Sequence, residues 1–84
     1  NSAEPYNLAE LLYLADQVDE AIHYYGIAAQ LNPKEGRYQL KLGYAFLRKQ
    51  DNTSAVKHFE EFLVLRPEDP QADAIRQIIG TLKK

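Results

Sequence analysis

Residues 36–67 read GRYQLKLGYAFLRKQDNTSAVKHFEEFLVLRP, and the apolar spacing in this stretch decides the fold. Leu42, Ala45 and Phe46 fall at the separations of one helical face, as do Ala55, Phe59, Phe62 and Leu63. The polar break between the two stripes, Gln50-Asp51-Asn52, is short enough to force an antiparallel helical hairpin. Pro67 closes the unit, because proline lacks the amide hydrogen that a helix interior requires.

The same unit precedes it. Leu31-Asn32-Pro33 and Leu65-Arg66-Pro67 lie 34 residues apart, and this offset also relates Leu8 to Leu42, Ala9 to Gly43, Leu12 to Phe46, Ala21 to Ala55 and Tyr25 to Phe59. Size class is kept at each pair. In the first unit Leu8, Leu11, Leu12 and Ala15 form one stripe and Ala21, Tyr25, Ala28 and Ala29 the other, with Asp16-Gln17 as the break. After Pro67, Asp69 is placed to cap a further helix with Pro70 at its first position, and Ile75, Ile78, Ile79 and Leu82 give that helix a single apolar face. Five helices are expected, near 3–15, 18–31, 36–49, 53–65 and 70–82.

These residues resemble the tetratricopeptide repeat family, whose 34-residue unit carries Leu-Gly-x₂-Tyr, then Ala-x₃-Phe, then Pro. The second unit offers Leu42-Gly43-x₂-Phe46, Ala55-x₃-Phe59 and Pro67; the first offers Leu8-Ala9-x₂-Leu12, Ala21-x₃-Tyr25 and Pro33. The resemblance implies an all-α, right-handed solenoid of helical hairpins. The units span 2–35 and 36–69, and residues 70–84 form a capping helix. The small residues Ala9, Gly43, Ala21 and Ala55 let helices approach, and Tyr25 and Phe59 fill the space between neighbouring pairs.

Composition bounds the rest. Eighty-four residues make one domain, and 45% hydrophobic with 26% charged is ordinary globular usage. Cysteine is absent, which removes disulfides, thiolate metal sites and a cysteine nucleophile. No apolar run approaches the ~18 residues of a membrane span. The chain begins at Asn1 and contains no Met, as expected of an excised or processed piece. Charge is polarised rather than basic overall. Residues 1–35 hold six acids and one base, and residues 36–84 hold nine bases and six acids. A nucleic-acid partner, which calls for a basic stripe on a basic domain, is not expected.

Catalytic and cofactor chemistry is not expected either. His23 and His58 lack ligand-spaced neighbours, and His58 reads as part of a solvated face beside Glu61. Ser2 and Ser54 lack a nucleophile elbow, and no glycine-rich loop opens a helix.

What remains is a surface. In stacked hairpins the first helices line a concave face that takes extended partners. Opposite the core stripes, the first unit offers Tyr6, Asn7, Glu10, Tyr13 and Leu14, and the second offers Arg37, Leu40, Lys41, Tyr44, Leu47 and Arg48. Arg37, Lys41, Tyr44 and Arg48 form one ridge. Tyr and Arg are enriched at interface hot spots. The expectation is a protein–protein interaction scaffold that binds an extended or helical segment. On this reading Arg37, Lys41 and Arg48 meet acidic groups, while Tyr6, Tyr13, Tyr44, Leu40 and Leu47 supply apolar contact. Glu10 is expected to pair with Lys41 or Arg37 and so mask part of the ridge. The carboxylate clamp that some related domains use for chaperone tails is not matched: Tyr6, Glu10, Lys41, Gln71 and Ile75 stand at the corresponding places. The alternative is an assembly module, either a fragment of a longer array or a self-associating chain.

Overall fold

A computed structural model describes residues 1–84 and contains five helices: α1 Ala3–Leu14, α2 Val18–Leu31, α3 Gly36–Arg48, α4 Asn52–Leu65 and α5 Ala72–Leu82. There is no strand. Helices α1 and α2 pack as one hairpin and α3 and α4 as a second; α2 packs on α3, and α4 on α5. The fold is the all-α stack of hairpins that the 34-residue offset predicts.

The hairpin turns also repeat. Asp16 and Gln50, again 34 apart, are the two non-glycine residues with positive φ, at 65° and 66°. After α1 the Gln17 amide donates to the Leu12 carbonyl at 2.8 Å and Asp16 to Tyr13 at 3.1 Å. After α3 the Asp51 amide donates to Phe46 at 3.0 Å and Gln50 to Leu47 at 2.9 Å. Each helix thus ends in a Schellman motif, with a left-handed residue turning the chain back. Asp51 then caps α4, accepting from the Ser54 amide at 3.2 Å and the Ser54 hydroxyl at 2.8 Å. Those bonds hold the Asp51 carboxyl below the usual carboxylate range.

Helix α5 begins two residues later than Asp69 and Pro70 suggest. Asp69 instead accepts from the Gln71 amide at 2.8 Å and pairs with Arg66 at 3.1 Å, so Pro70 lies in a turn before the helix.

The interior forms two clusters, as expected where each hairpin meets only its neighbours. Ala9, Ala21, Tyr25 and Leu42 make the first. Leu40, Ala55, Val56, Phe59, Phe62, Ile75 and Ile79 make the second, and Phe46 packs against both. Gly43 is required at the α3–α4 crossing: a Cβ there would stand 2.5 Å from Cε1 and 2.9 Å from Cγ of the Phe59 ring. The apolar stripe expected of α1 is only partly used. Ala9 is buried, but Leu8 is 40% and Leu11 66% exposed.

Candidate functional site

Helices α1 and α3 present the expected face, joined by three side-chain pairs. The Arg37 guanidinium lies 5.1 Å from the Tyr6 ring centroid, and the Arg48 guanidinium 5.0 Å from that of Tyr13. Between them Lys41 Nζ is 3.5 Å from the Glu10 carboxylate. Cations over tyrosine rings at partly exposed sites contribute about 0.5–1 kcal/mol each. The rungs therefore orient the two helices more than they stabilise the fold.

Glu10 does more than mask a lysine. It also accepts a short hydrogen bond from the Tyr25 hydroxyl, which comes up from the hairpin interior. Burial, then this bond to Glu10, pushes the Tyr25 phenol far above its usual range. Burial, then the Glu10 charge, raises Tyr6 as well. The Tyr25 phenol is thereby held as the donor to Glu10. Tyr6 packs on Tyr25 and Tyr38 at centroid separations of 5.9 and 5.1 Å, and the Tyr38 and Ser2 hydroxyls are 2.8 Å apart. The Glu10–Tyr25 link had no signal in the sequence, because it joins residues of different helices at no repeat spacing.

The basic ridge is internally compensated. Arg48 pairs with Asp16 at 2.7 Å, Lys49 with Asp19 at 2.5 Å, Lys41 with Glu10, and Arg37 with Glu35 at 3.9 Å. Arg48 also reaches the Tyr13 carbonyl at 3.4 Å, at the negative end of the α1 dipole. The acidic residues 1–35 and the basic helix α3 thus meet each other, and the charge asymmetry is largely spent inside the fold.

Two expectations about individual residues are corrected. Leu40 is not on the open face: it is 6% exposed and sits in the second cluster with Phe62 and Ile75. Helix α5 closes over that side of α3, and this packing was invisible when α3 was considered alone. His58 is not on a solvated face. It is half-buried, its Nδ1 lies 2.8 Å from Gln39 Oε1, and its ring stacks on Phe46 at 5.3 Å. Burial, then the Lys57 charge, lowers its pKa from the ordinary value, against the opposing Glu61.

The remaining residues lie as follows. Asn7 is exposed, Leu14 is 82% exposed, and Tyr44 is half-buried with its ring edge-on to Phe59 at 5.2 Å. Leu47 forms one wall of an open, mainly apolar cleft of about 480 Å³, opposite Ala74, Ile78 and Leu82 of α5. The α5 wall of this cleft goes beyond the capping role expected of residues 70–84. Its Ile75-Ile78-Ile79-Leu82 stripe in fact divides: Ile75 and Ile79 enter the core, and Ile78 and Leu82 face the cleft.

No group of three or more His, Cys, Asp or Glu side chains is arranged to hold a metal ion, and no helix is long and apolar enough to cross a membrane. No curated protein matches the chain. Residues 6–73 match the tetratricopeptide repeat, a family that generally serves as a protein–protein interaction module and is typically non-catalytic. Repeat spacing, the paired turns and this match, which covers most of the sequence, agree: the chain belongs to the tetratricopeptide repeat family.

Proposed function

We propose that this domain holds an extended or helical segment of a protein partner on the face shared by α1, α3 and α5. The observation that carries the reading is the cleft between Leu47 and the Ala74, Ile78 and Leu82 side chains. It is open, apolar and one helical turn from Tyr44, whose ring is held by Phe59. An ordered aromatic beside an apolar cleft offers contact area at little entropic cost.

The anchoring groups of the partner are apolar on this reading. Arg37, Lys41 and Arg48 already have carboxylate partners, so an acidic ligand has to displace Glu35, Glu10 and Asp16. Exchange of one exposed ion pair for another yields about 0–1 kcal/mol. Tyr6 and Tyr13, beside Arg37 and Arg48, lie on the α1 side of the same face, where they would line the path of a longer segment.

The test is selection of peptides on the 84-residue domain from a random display library, followed by titration against variants. Leu47→Glu and Ile78→Glu should each weaken the selected peptides about tenfold or more. Peptides that bind both variants as tightly as the parent would place the site elsewhere.

A further inference from the structure

The starts of α1, α3 and α5 share one device. Asn1, Glu35 and Asp69 lie 34 residues apart, and each side chain accepts from the amide two residues on: Ala3 at 2.9 Å, Arg37 at 3.2 Å and Gln71 at 2.8 Å. At the second and third, the other carboxylate oxygen faces an arginine. Glu35 Oε1 is 3.9 Å from Arg37 and Asp69 Oδ2 is 3.1 Å from Arg66, through one guanidinium nitrogen in each case. The two pairs border a single hollow of about 340 Å³, with the buried Leu40 and Phe62 below and Gln71 at its edge.

The hollow is lined by as many acids as bases, but they are unequally placed. The Glu35 and Asp69 side chains are 26% and 11% exposed, whereas those of Arg37 and Arg66 are 55% and 50% exposed. The carboxylates, tied to backbone amides, lie back, and the guanidinia form the mouth. A guanidinium has five donors. Arg48 and Arg76 spend theirs on the Tyr13 carbonyl, Asp73 and the Pro67 carbonyl, but Arg37 and Arg66 make only the single contacts above. Both are also held in place. The Arg37 guanidinium lies over the Tyr6 ring, and the Arg66 stem lies against Gly36, where a Cβ would stand 3.2 Å from its Cδ. Little side-chain freedom is left to lose on binding.

A carboxylate entering this hollow exchanges one exposed ion pair for another and gains little. A phosphate monoester differs. It carries close to two charges near neutral pH and three acceptor oxygens, enough to reach both guanidinia and Gln71 while Glu35 and Asp69 keep their places. The apolar floor strengthens such bonds by lowering the local dielectric. The hollow also shares its two walls with the cleft. Leu40 precedes Leu47 on α3 by seven residues, and Gln71 precedes Ile78 by seven, a rise of about 10 Å. An extended chain covers that distance in about three residues.

We propose that the hollow between Arg37 and Arg66 takes a phosphorylated serine or threonine of the partner segment, about three residues from the apolar group seated in the cleft. The course of the segment rests on the cleft reading; the anion site does not.

The first arm of the test needs no peptide. Inorganic phosphate is titrated into the nitrogen-15-labelled 84-residue chain at about pH 7 and fixed ionic strength. The Arg37 and Arg66 Nε–Hε resonances should move together with one saturating midpoint, about threefold or more below that of acetate, and Arg76 should stay in place. Arg66→Met keeps the stem over Gly36 but removes the charge, and should abolish the Arg37 response; circular dichroism verifies that the fold is kept. The second arm takes the peptides selected on the domain, resynthesised with serine, phosphoserine or glutamate three positions to either side of the apolar anchor. Phosphoserine on one side should tighten binding about tenfold over serine, and glutamate less than about threefold. Arg66→Met should erase the phosphoserine gain, and Arg66→Lys should restore part of it, because lysine keeps the charge without the fork.

The proposal is overturned if the two arginines do not saturate together, if acetate acts as tightly as phosphate, or if the phosphoserine gain survives Arg66→Met. If Leu47→Glu and Ile78→Glu leave the peptides unaffected, the cleft reading falls instead, and the anion site stands or falls on the first arm alone.

Discussion

Gly43→Ala should destabilise the domain although alanine is the better helix former. In an exposed helix interior this exchange is favourable by about 0.5–1 kcal/mol, through reduced backbone entropy. At Gly43 the new Cβ would meet the Phe59 ring, with Cδ1 nearest, Cε1 at 2.5 Å and Cγ at 2.9 Å. Phe59 has no exposed surface and is met edge-on by Tyr44 at 5.2 Å, so the ring has no free volume to enter. Overpacking of this kind costs about 1–3 kcal/mol. The expected net loss is about 1–2 kcal/mol, which lowers Tm by about 4–15 °C in a domain of this size. Gly26→Ala is the internal control: nothing lies within 4 Å of its Cβ position, so it should gain about 0.5–1 kcal/mol. Thermal unfolding followed by far-ultraviolet circular dichroism separates the two. Adding Phe59→Leu to Gly43→Ala should recover part of the loss, as coupled neighbours do. A Gly43→Ala variant that melts at or above the parent would refute the claim that this crossing sets the distance between α3 and α4.

Gln50→Gly should raise stability by about 1 kcal/mol in urea unfolding, because Gln50 holds φ at 66° and glycine carries no Cβ penalty there; an unchanged midpoint would mean the left-handed turn is not strained. Glu10→Ala should cost about 1–3 kcal/mol, since it leaves the Tyr25 hydroxyl without its acceptor and Lys41 without its partner, and urea unfolding at neutral pH measures the loss. Stability should also fall as pH drops from about 6.5 through the lowered His58 pKa, because the unfolded imidazole then binds more protons than the folded one. The effect is modest at a half-exposed site, and Tm measured against pH for His58→Gln should lack that component.

The helices, their order and the two-unit architecture were legible because they follow from local periodicity and from the 34-residue offset. Leu42, Phe46, Ala55 and Phe59 repeat Leu8, Leu12, Ala21 and Tyr25 in register, and no tertiary information is needed to see it. Residues that pack along a hairpin were legible for the same reason: Gly43 against Phe59 is a small residue opposite a large one.

Tertiary structure alone decided where each face ends. Helical spacing gives the angle of a side chain about its own axis, but not which neighbours surround that axis. Leu40 looked like part of an open face until α5 closed over it, and His58 looked solvated until Gln39 and Phe46 enclosed it. Leu8 and Leu11 read as core, yet Leu42, the repeat equivalent of Leu8, is buried against Ala21 and Tyr25 of α2, and no such helix lies over α1. The ridge of α3 is basic as a set of residues but not as a field. Its charges are opposed by Glu10, Asp16 and Asp19, which come from another part of the chain at distances no sequence spacing records. Periodicity is a property of one helix, whereas burial and net field belong to the set of helices around it.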